Sequence, residues 1–539
     1  MGLTEARRAL DRGDLDAAGP LLARALRSVA AADEPAAATL VEQAAHLARW
    51  AHDPGAVVGL LDAALETFGS AVARARVLHA RSRLDAFLAR GDDRERHLRA
   101  AVAAYREGGD LAGVAIAQSD LAFPVGPIDS LAERRRLAAS ALDLARRSGD
   151  ALALVVCAGT VARALVELGD DAAYAMWDEG RAALPAVGPL PPWAADVAPR
   201  YFYNWARILV LRGDYATAAR VADEGKAYSS RHYWARSFAV VDAVRHWRLG
   251  AWAAARSCVG LALDGESQPG LDLARMVDAH LRYERDARPD TVPLEALAED
   301  LVGDQNVAGP VALALLVRIR DVRREPRPHR GAATAIGDAV RMGRRIGWED
   351  LLPATAAVAP AVARAELDRL SDTLPLGPRA APALQHARGL LAWSADDLVA
   401  AAAAYRALGE PYLAASALAS AALARHRSRL PSAALRQEAA DLYRSVGADR
   451  SLASLLRGAA GARAVPGLRI PASQRFAGSP GLTKRESDVA LLASRGHTAP
   501  EIAAELHVAV RTVYVHIQSV KAKLGVRRKS ELVRLFDER

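Results

Sequence analysis

Apolar residues recur at steps of three and four along almost the whole chain, and alternation with period two is scarce, so helices are expected from end to end. In residues 1–458 Ala, Leu and Arg dominate this pattern. Gly-Asp pairs punctuate it, at Gly13-Asp14, Gly91-Asp92, Gly109-Asp110, Gly149-Asp150, Gly169-Asp170 and Gly213-Asp214. A Gly, a bulky residue two positions on and an Ala five on recur at Gly13/Leu15/Ala18, Gly213/Tyr215/Ala218 and Gly250/Trp252/Ala255. Glycine ends one helix, the bulky residue wedges between paired helices, and alanine allows close approach. The last two copies stand 37 residues apart, close to the period of tetratricopeptide arrays, which these segments resemble. The expected fold is all-α: a tetratricopeptide-like α-solenoid over 1–458, a basic flexible linker over 459–480, and a small helical domain over 481–539. Breaks are expected at Pro185–Pro192 and Arg324–Arg330.

The terminal domain has sharper punctuation. Thr483 and Glu486 have the spacing of a capping box, with Val489 and Leu492 on one face and Gly496 as the stop. Thr498 and Glu501 repeat the device before Ile502, Ala503 and Leu506. After Val508-Ala509 a third helix runs to Leu524 and stops at Gly525, and a fourth starts near Ser530. Short helix, turn and longer helix is the spacing that lays one helix across a DNA backbone and the next in the major groove. On the third helix Val513, Ile517, Val520 and Leu524 form the buried stripe. Arg511, Tyr514, Val515, Gln518 and Ala522 then point outward. Arg suits the acceptor pair of guanine, Gln the edge of adenine and Val the thymine methyl. Thr512, His516, Lys521, Lys523, Arg527, Arg528 and Lys529 supply donors and charge for phosphates, which position without specifying.

Leu482-Thr483, Arg485-Glu486, Glu501-Ile502-Ala503, Leu506, Thr512-Val513, His516 and Lys523-Leu524-Gly525-Val526 together resemble the LuxR-type helix-turn-helix domain. The resemblance implies a four-helix domain that reads bases through Tyr514, Val515 and Gln518 and dimerises through Glu531–Phe536. It also implies double-stranded DNA as partner, bound by a homodimer. Three positions depart from the family: Ala509 where Ser is usual, Tyr514 where Lys is frequent, and Ser519 where Asn is frequent. Leu391–Gly458 is similar to the last repeats of the large ATP-binding regulators of that type. No G-x-x-x-x-G-K-[ST] occurs, so nothing supports ATP binding.

Charge strengthens this picture. The net charge is +8, and from Arg463 onward there are 14 Lys/Arg and 7 Asp/Glu, which leaves about +1 for everything before. A positive field concentrated on the terminal domain is what phosphate binding requires. It also argues against the rival reading, a helical-repeat scaffold whose last helices bind protein.

Other chemistry is sparse. Cys157 and Cys258 lack ligand-spaced neighbours and read as buried hydrophobes in a reducing compartment. The thirteen histidines form no H-E-x-x-H or Cys/His cluster. Asp92-Asp93 and Asp396-Asp397 read as helix-start residues that favour the dipole. No enzymatic activity, metal or cofactor is expected. The charged start and the absence of an 18-residue apolar run point to a cytoplasmic protein without membrane contact. Tyr201, Tyr203, Trp205, Tyr233 and Trp234 fall near Arg200, Arg207 and His232, a lining for a peptide or small anion or, more economically, packing between helices. A peptide, protein or small-molecule effector on the repeat region is the expected input.

Overall fold

The computed structural model describes residues 2–48, 54–88, 90–122, 131–188, 190, 194, 196–228, 232–265, 271–285, 311, 313–315, 348–358, 360–361, 363–365, 367, 377–460, 484–494, 499–506, 508 and 510–524. Among these residues the protein is helical throughout, with no strand. Helices α1 (Gly2–Asp11), α2 (Leu15–Leu26), α3 (Glu34–Ala48), α4 (Val58–Thr67) and α5 (Ala71–Phe87) open the chain. α6 (Gly91–Glu107), α7 (Leu111–Leu121), α8 (Leu131–Ser148), α9 (Ala151–Glu167) and α10 (Ala172–Ala183) follow. Next come α11 (Val197–Arg212), α12 (Tyr215–Ala227), α13 (His232–Arg248), α14 (Trp252–Leu263) and α15 (Asp272–Arg285). A later group holds α16 (Leu351–Val358), α17 (Ala380–Ala392), α18 (Ala395–Ala407), α19 (Pro411–Arg427), α20 (Ala433–Val446) and α21 (Asp449–Ala460).

Most helices pack on the next in sequence, and α7, α9, α11, α13 and α15 also meet as alternate neighbours. The turns between them follow from the Gly-Asp pairs. Gly13, Gly109, Gly149, Gly169 and Gly213 all take the left-handed conformation that ends a helix cheaply only at glycine. The following aspartate then turns back to serve the next helix. Asp14, Asp110, Asp150 and Asp214 accept from the amides of Ala17, Gly113, Ala153 and Thr217, a cap that contributes about 0.5–2 kcal/mol each. Gly91 differs from the expected turn: it is the first residue of α6, with Asp92 and Asp93 in the first turn. The Asp396-Asp397 pair sits likewise in the first turn of α18. Ala18, Ala218 and Ala255 are fully buried, as the close-approach reading of the repeat requires.

The described core of residues 2–460 falls into three clusters, the largest running from Ala115 to Leu455. That span is held across sequence by buried charge. The Arg248 guanidinium donates to both Asp350 oxygens at 2.6 Å, and Arg379 donates to the same carboxylate at 2.9 and 3.1 Å. Arg379 Nε also donates to Glu410 at 2.7 Å, and the Tyr215 hydroxyl donates to Glu410 as well. All these residues are buried, and two cations face two anions. The repeat glycines make room for this junction. A Cβ on Gly213 would lie 2.5 Å from Arg379 Cγ, and one on Gly250 would lie 2.5 Å from Pro411 Cγ and 2.7 Å from Val446 Cγ1. A second polar clasp lies nearby. Glu284 accepts from the Tyr412 hydroxyl at 2.8 Å and from the Ser451 amide and hydroxyl at 3.0 and 2.7 Å, joining α15, α19 and the start of α21.

Cys157 is buried and Cys258 partly buried, and both are free thiols. Burial pushes the Cys157 thiol up to about 12, so it behaves as a small hydrophobe. The expected loop at Arg324–Arg330 and the linker residues 461–480 lie outside the described residues. Among the described residues no helix is long and apolar enough to cross a membrane, and no group of three His, Cys, Asp or Glu residues is placed to hold a metal ion.

Asp350→Asn removes the charge shared by Arg248 and Arg379 and is expected to destabilise the chain by about 3–5 kcal/mol in urea denaturation. Asp396→Asn, on an exposed first turn, should cost no more than about 1 kcal/mol. Burial alone would raise the Asp350 carboxyl, but the Arg248 and Arg379 charges outweigh it and hold it well below the ordinary carboxylate range. Its stabilisation is therefore fully present above about pH 4 and is lost only as pH falls towards the depressed folded value.

Candidate nucleic-acid interface

Three further helices stand after residue 460: α22 (Lys484–Ser494), α23 (Ala499–Leu506) and α24 (Val510–Leu524). They pack against one another around their own small core of Val489, Leu492, Ala493, Ile502, Ala503 and Val513. Leu506, Val508 and Ile517 pack against its edge, and Val520 is fully buried. The periodicity of α24 thus sorts as anticipated, with Val513 and Val520 at 0% exposure and Ile517 partly buried.

The opposite face of α24 is open. Tyr514 is 57% and Val515 62% exposed, and Thr512 and Gln518 are also exposed; His516 is half-buried at the margin. Aromatic and aliphatic side chains this open on a helix otherwise anchored in a core are available to another surface. Arg511, Lys521 and Lys523 lie on the same helix, but their side chains fall outside the described residues, as do Thr483, Ala509, Gly525 and the dimerisation segment Glu531–Phe536.

Three contacts fix how the helices sit and were not legible beforehand. Glu486, expected only as a capping-box residue, is buried and accepts from the Ser519 hydroxyl at 2.5 Å, tying α22 to α24. Ser519, one of the positions where the sequence departs from its family, therefore faces inward and sets the pose of α24. Arg485 donates to the Leu506 carbonyl at 3.0 Å, satisfying the end of α23, and the Val508 amide closes onto Ala503 O at 3.0 Å. A short helix, a connection over 507–509 and a longer helix with an exposed side follow from these restraints.

This architecture is that of a helix-turn-helix domain. The family described as bacterial regulatory proteins, luxR family, matches residues 480–536. Spore germination protein GerE of Bacillus subtilis (strain 168) is 42% identical over 60 residues, which is 11% of this chain and 81% of that protein. Through this domain the chain belongs to the luxR family of bacterial regulatory proteins.

The aromatic cluster anticipated around 200–234 divides in two. Trp234 packs edge to face with both Tyr203 and Tyr233, and Arg207 lies 5.9 Å from the Tyr203 ring centroid. Tyr201 and Trp205 instead stack on Trp177 and share the wall of a separate cleft with Arg200. His232 begins α13, its side chain outside the described residues.

Ser519→Ala should loosen α22 against α24 by about 1–2 kcal/mol, since it removes a hydroxyl donor from a buried carboxylate. Hydrogen exchange on the full chain should show faster exchange of the α22 and α24 amides, with α11–α15 unchanged.

Proposed function

We propose that this protein is a sequence-specific transcriptional regulator that inserts α24 into the major groove and takes its input through the helical region of residues 1–458. The observation that carries the reading is the exposed face of α24, with Tyr514, Val515 and Gln518 displayed on a helix whose other side is locked into a core. Family membership makes DNA the partner. The chemistry of that face suits it to base edges. The Gln518 amide pairs with a donor–acceptor edge, Val515 packs on a thymine methyl, and Tyr514 offers a ring and a hydroxyl. Arg511 is assigned to guanine. Thr512, His516, Lys521 and Lys523 are assigned to phosphates, which fix register. Tyr514 in place of a charged donor shifts the target sequence away from that of relatives with Lys there. The segment Glu531–Phe536 is assigned to the dimer contact, so that two copies address two half-sites about one helical turn apart.

The helical region is the natural receiver. Stacked helices leave extended faces on which a partner or small ligand settles, and the cationic terminal domain, +7 from Arg463 onward, supplies the output. Occupancy of the receiver then alters dimerisation or the freedom of the terminal domain.

Affinity of the full chain for its duplex site should fall steeply and linearly on a log–log salt plot, and a flat plot would sink the DNA reading. Gln518→Ala should cost about 1–3 kcal/mol at one base step and little elsewhere, as read by binding to a set of single-base variants; an equal loss on every sequence removes Gln518 from the base-reading set. Lys521→Ala should weaken all sequences alike and reduce the salt slope by about one.

A further inference from the structure

Several buried carboxylates of the described helical region come with an arginine: Glu42 meets Arg76, Asp85 meets Arg81, and Asp350 and Glu410 meet Arg248 and Arg379. Glu284 of α15 is held otherwise. It is 1% exposed and takes three donors, the Tyr412 hydroxyl of α19 at 2.8 Å and the Ser451 hydroxyl and amide of α21 at 2.7 and 3.0 Å. Among the described residues the basic side chain in ion-pair range is His280, whose Nε2 stands 3.9 Å away. His280 Nδ1 accepts from the Trp247 indole at 2.8 Å, which leaves the proton of the ring on Nε2 and the ring uncharged. Arg450 of α21 acts on the carboxylate from further off, and its guanidinium lies 4.4 Å from the Tyr283 ring centroid. A buried anion whose close donors are all neutral is costly to keep.

The place of Glu284 gives that cost a consequence. α21 is the last described helix before residues 461–480 and the terminal domain. The Leu452 amide bonds Ala448 O at 2.9 Å, so Ser451 closes the set of first-turn amides that have no partner inside the helix. Glu284 supplies one from 167 positions away and sets a negative charge at the positive end of α21. The main neighbours of α21 are α15 and α20, and its described apolar hold on them is short: Leu455 is buried, Leu452 partly buried and Leu456 54% exposed. Gly447, left-handed and with open space around it, is a joint at the start of the helix. Elements that move are drawn from such weakly held positions. The titratable and charged groups around the carboxylate are His280 of α15, Tyr412 of α19, Tyr443 of α20 against Tyr412, and Arg450 of α21; Trp247 and Trp252 of α13 and α14 back the His280 ring. Burial pushes the Glu284 carboxyl up, and the bonds from Ser451 and Tyr412 and the Arg450 charge pull it back only in part. The docked helix therefore holds a proton on Glu284 more tightly than the released one does. Docking is tightest below the ordinary glutamate range and weakens as pH rises through the raised docked value.

We propose that α21 is a latch that leaves α15 to free the terminal domain, and that the buried Glu284 carboxylate keeps its hold weak enough to be released. The ionised side chain both caps α21 and makes the docked position costly. Docked and released states then lie close in free energy, and an event elsewhere in the helical region can select between them. Swinging out about Gly447 breaks the three bonds to Glu284 and returns the carboxylate to water. The effect on DNA rests on the reading of the terminal domain as output; the docking equilibrium itself does not.

Hydrogen exchange on the full chain, corrected for the intrinsic pH dependence of exchange, reads α21 against α9 and α11 as internal reference. In the wild type, α21 protection is expected to fall as pH rises from the ordinary glutamate range to about pH 8. Glu284→Gln keeps a carbonyl for the Ser451 amide and removes the charge. At about pH 8 it should raise α21 protection by roughly threefold or more and abolish its pH dependence. Ser451→Ala keeps the charge, removes a donor and should lower α21 protection. A merely structural clasp would be loosened by both variants. The proposal is overturned by α21 protection in Glu284→Gln at or below wild type, by loss of its helix content in circular dichroism, by a wild-type α21 that ignores pH, or by unaltered protection in Ser451→Ala. Affinity for a duplex site reads the coupling: Ser451→Ala should bind more tightly than wild type and Glu284→Gln more weakly. The expected exchange pattern with unmoved DNA affinity overturns the link to the terminal domain. A wild-type chain that binds no duplex overturns the regulator reading, and exchange alone then decides the latch.

Discussion

Charge neutrality inside the protein is the constraint on which the long helical region depends. Arg248, at the end of α13, and Arg379, just before α17, can be buried only because Asp350 and Glu410 come with them. These four residues come from distant points of the chain, so satisfying them requires the later helices to return against α11–α15. A purely one-dimensional array needs contacts between neighbours only. Here the Tyr215–Glu410 and Glu284–Ser451 bonds add contacts across 195 and 167 positions. Such a junction supplies specificity of register more than net stability, since a well-packed apolar substitute would hold as well while losing the directional pairing.

At the far end of the chain the division of labour is between a sealed side and an open one. Val513 and Val520 anchor α24, the Glu486–Ser519 bond sets its pose, and Tyr514 and Val515 stay in solvent. A reading surface must be held rigidly from behind, and the three-helix core does so with few residues.

Much of this was legible in the residues. The Gly-Asp pairs announced turns because glycine alone tolerates the left-handed stop and aspartate caps the next helix; Gly91 misled because the same dipeptide also suits a helix start. The extents of α22, α23 and α24 came from capping residues and glycine stops, and the buried stripe of α24 from periodicity. The aromatic cluster did not resolve, since Tyr201 and Tyr203 lie on one helix yet serve different surroundings. Ser519 was marked in the sequence only as a departure from the family, and the fold turns it inward onto Glu486.

Sequence alone determined the helical class, the turn positions and which side of α24 is greasy, because helix period, glycine conformation and capping are local properties of a few consecutive residues. Tertiary structure alone decided that Asp350 and Glu410 neutralise Arg248 and Arg379 and that Glu486 meets Ser519. Pairing of charges depends on distance in space, and nothing in the order of residues along a chain encodes which distant side chain will arrive within reach of a guanidinium.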